Sequence, residues 1–123
     1  MMPSFFTAIH RVARKQHRCG ECSGTIKPLD VYERATGCWD GAIDTFKTCQ
    51  PCEIARDDLV ATCLAYNWAG EDGALYMFCG VEEDLLNAAA EVKEPGETFK
   101  LLRHVVGMRK RRAETRRQAV SQQ

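Results

Sequence analysis

The chain has 123 residues, of which 45% are hydrophobic, and its acidic and basic side chains balance to a formal net charge of zero. This length fits one domain, or a small metal-stabilised unit with a helical extension. No apolar run is long enough to span a bilayer and no secretory signal begins the chain, so we expect a cytoplasmic protein with no membrane partner. Seven cysteines, an odd number, then favour thiols on a metal over a disulfide scaffold.

The zero net charge hides a strong segregation along the chain. Residues 1–18 carry four basic side chains and no acid, residues 19–99 are acidic, and residues 100–117 are basic with the single acid Glu114. Such asymmetry indicates a basic surface that meets an anionic partner. Two alternatives stay open: the basic end pairs with the acidic middle of its own chain, or with a second copy.

Two CxxC motifs, Cys19-Gly20-Glu21-Cys22 and Cys49-Gln50-Pro51-Cys52, are the strongest functional signal in the sequence. One CxxC motif is ambiguous between a redox pair and half of a metal site. Two of them, with a hairpin between, supply the four thiolates of a tetrahedral structural site. We therefore predict one structural Zn²⁺ bound by these four cysteines. His17 could replace one ligand, or pack beside the first motif or contact a partner.

The segment between the two motifs is predicted to form a β-hairpin. Residues 31–38 and 43–48 are predicted strands, and Trp39-Asp40-Gly41 supplies the Asp-Gly pair of a tight turn. The second motif runs directly into a predicted helix over residues 53–64, with Pro51 suited to its first turn. Metal motif, hairpin and helix in this order predict an α+β fold built on a treble-clef zinc finger.

The remainder of the chain is predicted to be mainly helical. Residues 67–73 are a predicted loop, and residues 74–79 are a short apolar segment that could form a strand. A helix is predicted over residues 81–94, ended by Pro95-Gly96. A second amphipathic helix then continues into the basic end, which we expect to project or fray; its predicted apolar face is Phe99, Leu102, Val105, Val106 and Met108. We divide the chain into a metal-binding module with a basic lead-in, residues 1–66, and a helical extension, residues 67–123, packed as one unit.

From residue 14 to residue 52 the sequence reads RKQHRCGECSGTIKPLDVYERATGCWDG and closes with TCQPC. This third of the chain resembles small treble-clef zinc proteins encoded by bacteriophages and prophages. The resemblance implies that the four motif cysteines are ligands and that Ile26 and Tyr32 pack in the hairpin. Such proteins tend to have a glycine before the Tyr-bearing strand, where this chain has Leu29-Asp30, so the local turn can differ. A phage origin would imply a partner in the bacterial host cytoplasm, such as a defence complex.

The sequence argues against an enzyme. Four cysteines close the coordination sphere of a metal, whereas a catalytic zinc keeps a position open for water. No histidine occurs between His17 and His104, which excludes a nuclease of the His-Asn-His type. Paired acids such as Asp57-Asp58 are expected to complement helix dipoles rather than to act in catalysis.

The expected function is therefore non-enzymatic binding of a host protein or protein complex. The candidate partner-binding residues are Trp39 at the hairpin tip, which could instead fold back over the zinc site or onto Trp68, and Arg109, Arg112 and Arg116 on one face of the last helix. The alternative is a nucleic-acid-binding protein that uses this basic helix, and a homodimer is also compatible with the sequence. Of the other cysteines, Cys63 and Cys79 are expected to be buried, and Cys38 is a candidate reactive thiol.

Overall fold

The computed structural model describes residues 5–68 and 78–121. They form a mixed α/β fold with a small antiparallel sheet and three helices. The elements are β1 (Phe5–Val12), β2 (His17–Arg18), β3 (Thr25–Ile26), β4 (Val31–Trp39), β5 (Ala42–Cys49), α1 (Gln50–Ala65), α2 (Val81–Glu91) and α3 (Pro95–Ser121). The apolar segment predicted over residues 74–79 lies mostly outside the described residues.

The predicted hairpin is confirmed. β4 and β5 pair antiparallel, with Trp39 opposite Ala42 at the closed end. Asp40 and Gly41 between them both have positive φ, 52° and 80°. Positive φ at both central residues defines the turn type that matches the twist of two-residue hairpins, which fixes the register of the two strands.

β1 was not predicted from the sequence. It pairs antiparallel with β4, with Phe5 opposite Cys38 and Val12 opposite Val31, and it forms one edge of the sheet β1-β4-β5. All eight of its residues are exposed. Because its apolar side chains point alternately to both faces of the sheet, β1 lacks the one-sided pattern by which a half-buried strand is recognised.

The turn before β4 contains a leucine, rather than a glycine, in a left-handed backbone conformation. Leu29 lies in the left-handed region, with φ of 77°, and is 82% exposed. The amide of Asp30 donates to the carbonyl of Lys27 at 3.0 Å, which closes the turn. A leucine here adopts a conformation that glycine would adopt without steric cost.

The helical core uses only part of the predicted apolar face of α3: Val105 and Met108 are buried as predicted, and Leu101, which was not predicted, lies with them. Leu101, Val105 and Met108 are buried, with exposures of 0–2%, and pack with Leu85 of α2 and Leu59 of α1. Residues 101, 105 and 108 follow helical spacing, and this side lies against α1 and α2.

The other three residues of the predicted apolar face of α3 lie on the outside. Phe99, Leu102 and Val106 are 65%, 37% and 54% exposed. They also recur at helical spacing, so α3 has apolar residues on two roughly opposite sides, and the sequence alone did not distinguish them. None of the described helices combines the length and the apolar character needed to cross a bilayer.

Candidate metal centre

The four motif cysteines converge on one point. The sulfur atoms of Cys19, Cys22, Cys49 and Cys52 all lie within 4.8 Å of one another, and the Cys22 and Cys49 sulfurs are 3.8 Å apart. Metal–sulfur bonds of 2.3 Å in a regular tetrahedron place the sulfurs about 3.8 Å apart. The four side chains could therefore hold a metal ion as they stand.

Short local elements position these ligands. The first pair lies in the connection between β2 and β3, Cys49 is the last residue of β5, and Cys52 lies in the first turn of α1, beside Pro51. Backbone amides point at the sulfurs: that of Gly24 donates to Cys22 at 3.3 Å, and those of Glu21 and Cys49 donate to Cys19 at 3.4 and 3.3 Å. Such donors stabilise thiolates, the form in which cysteine binds a metal.

Arg111 of α3 also contacts the sulfur cluster, which the sequence analysis did not predict. Its Nε lies 3.5 Å from the Cys22 sulfur and its Nη2 lies 3.3 Å from the Cys52 sulfur. Burial alone would lower the pKa of Arg111, but the hydrogen bonds to these sulfurs outweigh burial and raise the pKa above its ordinary value. Four thiolates around a divalent ion carry a net charge of −2, and Arg111 offsets part of that charge.

Further contacts bind the end of α3 to the first CxxC motif. Arg112 donates from Nε to the Cys22 carbonyl at 3.2 Å and from Nη2 to Glu82 at 2.5 Å. The amide of Thr25 donates to the Thr115 hydroxyl at 3.0 Å. The expectation that this part of the chain projects or frays is therefore wrong, because residues 111–115 are held against the metal module.

Gly24 makes this approach possible. A Cβ atom at position 24 would lie 3.0 Å from the Cβ of Arg111 and 3.1 Å from the Cys22 sulfur. Both distances are tighter than ordinary van der Waals contact. The absence of a side chain at residue 24 thus allows α3 to lie directly on the first CxxC motif.

Glu21, inside the first CxxC motif, contacts the start of α2. Its carboxylate accepts the amides of Cys79 at 2.7 Å and Val81 at 3.1 Å, and the residue is 7% exposed. Burial raises the pKa of Glu21 despite these two hydrogen bonds, which act in the opposite direction. α2 has no capping side chain of its own at Gly80, so a residue of the metal module satisfies its first amides.

The structure separates the predicted partner-binding residues. Trp39 is half-buried: its ring lies 5.6–6.3 Å from those of Phe6, Phe46 and Phe78, and it crosses Gly37, where a Cβ would meet it at 2.5 Å. The tip tryptophan thus packs on the sheet, and on neither of the two places that the alternative interpretation named, the zinc site and Trp68.

The three arginines of the basic helix lie in different environments. Arg112 is engaged by Glu82 and by Cys22, Arg109 lies 3.6 Å from Glu82, and Arg116 is exposed. They do not act as one uniform basic surface, because two of the three face an acid of α2. This arrangement supports in part the idea that the basic end pairs with the acidic middle of the chain.

The structure also places the three cysteines outside the CxxC motifs and His17. Cys63 is buried as predicted, whereas Cys79 is exposed, contrary to prediction, because it lies in a turn with positive φ beside the Glu21 contact. Cys38 is partly exposed. The His17 ring lies 5.1 Å from the Tyr32 ring, at an angle of 40° to it, and its Nδ1 lies 3.1 Å from Lys47 Nζ. His17 therefore packs beside the module and is not part of the cysteine cluster.

His10, Glu33 and Glu53 form a second group of potential metal ligands, but ion pairs account for why these side chains lie close together. Both oxygens of Glu33 accept hydrogen bonds from the buried guanidinium of Arg56, and Nε2 of His10 lies 2.6 Å from Glu53. Glu53, through a hydrogen bond and its charge, raises the pKa of His10 above the usual 6.5. The helix-dipole role predicted for Asp57 and Asp58 is wrong, because α1 begins at Gln50 and both acids lie beyond its first turn. Asp58 instead contacts His104 of α3 at 2.6 Å.

Comparisons with protein-family models, curated proteins and solved structures find no match to this chain. The assignment of a metal site therefore depends on the geometry of the four cysteines alone. Four buried thiols whose sulfurs lie within 4.8 Å of one another could hold a metal ion in an all-cysteine site, the donor set typical of structural metal sites.

Proposed function

We propose that this protein is a zinc-stabilised, non-enzymatic interaction module of the treble-clef type. An all-sulfur tetrahedral donor set suits Zn²⁺, although iron shares this preference. The order of CxxC motif, hairpin, second CxxC motif and helix supports the treble clef. Elemental analysis of protein purified from zinc- and iron-containing medium tests the metal: we expect one zinc per chain, and iron in its place would contradict the proposal.

The outward side of α3 carries the proposed interaction. Phe99, Leu102 and Val106 form an exposed apolar stripe, and the Arg103 guanidinium lies 5.9 Å from the centre of the Phe99 ring. Lys110 continues the same side of the helix. An apolar stripe with a cationic border fits a partner surface that is apolar with an acidic rim. Given the resemblance to phage proteins, we propose that this partner is a bacterial host protein.

Affinity capture with a matched pair of variants tests the stripe. The wild type, the double variant Phe99→Glu and Val106→Glu, and the control Leu64→Glu are immobilised and exposed to host extract. Leu64 is also exposed, at 65%, but lies on α1. We expect a protein that binds the wild type and the control but not the double variant, and that binds again when purified. Equal capture by all three would contradict the proposal.

The alternative of nucleic-acid binding through α3 is less well supported. Arg111 and Arg112 are engaged inside the protein, and Arg109 lies near Glu82, so fewer cations of α3 are available for phosphates. This observation favours a protein partner for this helix.

A further inference from the structure

The charges of the three-stranded sheet are sorted by face. Strand alternation and the pairing register place Arg11, Arg34 and Lys47 on one face, and the only acids of these strands, Glu33 and Asp44, on the other. We call the first the basic face. It is made of Phe5, Thr7, Ile9, Arg11, Tyr32, Arg34, Thr36, Cys38, Ile43, Thr45, Lys47 and Cys49.

The two faces differ in how they are covered. The middle of the acidic face, along β4, is covered by α1, through the contact of Glu33 with Arg56, and by the ring cluster around Trp39, whereas Phe6, Val12 and Asp44 at its outer strands are exposed. On the basic face, Tyr32 and Cys49 are buried at the metal end. Beyond them the outer strands are open: Phe5, Ile9 and Ile43 are 48%, 46% and 67% exposed, and Thr7 and Thr45 are exposed as well. Arg34 and Lys47 are half-buried, and Lys47 Nζ lies 3.1 Å from Nδ1 of the His17 ring.

The cations of the basic face are placed against each other. Arg34 lies directly opposite Lys47, and Arg11 is one row away, opposite Tyr32. Like charges on directly opposite residues of paired strands are destabilising. None of the acidic side chains in the described ranges forms an ion pair with any of these three cations. An external polyanion that binds across this row would offset the repulsion between these cations.

The neighbouring rows indicate the chemistry of that polyanion. Thr7, Thr36 and Thr45 lie side by side, with the hydroxyls of Thr36 and Thr45 3.2 Å apart. Hydroxyl and cationic side chains are the usual contacts of nucleic-acid phosphates. The next row presents Phe5 and Ile43, apolar surface on which an unpaired base can stack. An acidic protein surface would need the cations, but it would not need the threonine hydroxyls and the apolar surface beside them.

We propose that the basic face is a binding site for single-stranded nucleic acid, with phosphates on Arg11, Arg34, Lys47 and the threonine row and bases over Phe5 and Ile43. This site goes beyond the proposed protein interaction and lies on a different element from the α3 stripe. It also moves nucleic-acid binding from the basic helix to the sheet.

Fluorescence anisotropy with a labelled oligothymidylate of about 16 nucleotides tests the site. Three neutralised phosphates predict a log–log salt slope of about −2, which is a loss of roughly 20-fold in affinity between about 50 and 200 mM salt. The triple variant Arg11→Gln, Arg34→Gln and Lys47→Gln should lose this salt-dependent binding. Its melting temperature serves as a check of folding, because the variant removes both the repulsion between residues 34 and 47 and the 3.1 Å contact of Lys47 Nζ with His17 Nδ1.

A matched triple variant on α3, Arg109→Gln, Arg116→Gln and Arg117→Gln, removes the same charge and should keep the binding. Loss of binding in this control with retention in the basic-face variant would overturn the proposal in favour of the helix. Absence of salt-dependent binding by the wild type would also overturn it. Labelled polyglutamate is the final probe: if it binds as tightly as the oligonucleotide and with the same residue dependence, the site is one for acidic protein. None of these outcomes affects the α3 stripe, whose variants are separate.

Discussion

The metal centre and the aliphatic core of the helices are stabilised by different interactions. The metal centre has four buried sulfurs, three amide donors and one guanidinium, whereas Leu85, Leu101, Val105 and Met108 form an apolar core between helices. Yet Glu21, Arg111 and Arg112 join the two regions by direct hydrogen bonds. The difference teaches that a metal site of this size can organise helices well outside the metal-binding sequence.

Loss of the metal should have the largest effect and should reach both regions. Cys49→Ser removes one of four ligands, and structural zinc supplies about 10–16 kcal/mol of binding free energy that is also folding free energy. We expect loss of metal, of hairpin structure and of ordered packing in α3, measured by elemental analysis and by amide hydrogen exchange of α3.

The exposed thiol of Cys79 provides the control for this variant. Cys79→Ser should retain one metal per chain and a near-normal melting temperature. If α3 kept its full exchange protection in metal-free Cys49→Ser, the two regions would be independent, contrary to the coupling inferred here.

Truncation in the helical core should have the next largest effect, confined to stability. Leu101→Ala leaves a cavity at a fully buried site, which costs roughly 2–5 kcal/mol. Leu102→Ala, one residue away and 37% exposed, should cost much less. Denaturant unfolding of the two variants decides which of the two leucines is buried, and a larger loss in Leu102→Ala would favour Leu102, the one predicted from the sequence.

The contact of Glu21 with α2 should have a smaller but specific effect. Glu21→Ala leaves the amides of Cys79 and Val81 without their acceptor, which costs roughly 1–3 kcal/mol. Glu21→Gln keeps one carbonyl oxygen and should lose less. Glu83→Ala is the control, because Glu83 is an exposed acid in the first turn of α2, the same turn as Val81. Equal stability of the alanine and control variants would show that this contact does not contribute.

The smallest effect is expected for the ion pair between His10 of β1 and Glu53 of α1, which belongs neither to the metal centre nor to the helical core. Because Glu53 raises the pKa of His10, the stabilisation from this pair is full below the unfolded pKa, near 6.5, and is lost as the pH rises through the higher folded pKa. Titration of the His10 ring by NMR should show a midpoint above 6.5 that falls in Glu53→Gln. A midpoint at or below 6.5 in the wild type would refute this.

Local signals predicted the parts of the molecule that local chemistry determines. The spacing of the cysteines identified the four side chains that cluster, and the Asp40-Gly41 pair predicted the hairpin turn, because each depends on neighbours in sequence. The contacts of Glu21 with Val81 and of Arg111 with Cys22 join residues 60 and 89 positions apart. No short motif encodes such pairs, so they were missed.

The two apolar sides of α3 show a second limit of prediction from the sequence. Leu101 and Leu102 both fit helical spacing with apolar neighbours, and periodicity does not say which side meets α1 and α2. The choice is made by tertiary packing, and by Arg111, Arg112 and Thr115, which extend the inward side towards the metal module. β1 was missed for a related reason, since an exposed edge strand need not have one apolar face.

The contact at Gly24 has an evolutionary consequence. As long as α3 lies on the first CxxC motif, a substitution at residue 24 must displace either the helix backbone near Arg111 or a metal ligand, so the two positions are expected to change together in descendants of this chain. A lineage that lost α3 would be free to replace the glycine. It would also lose the cation beside two thiolates, and its metal centre would need a new positive neighbour.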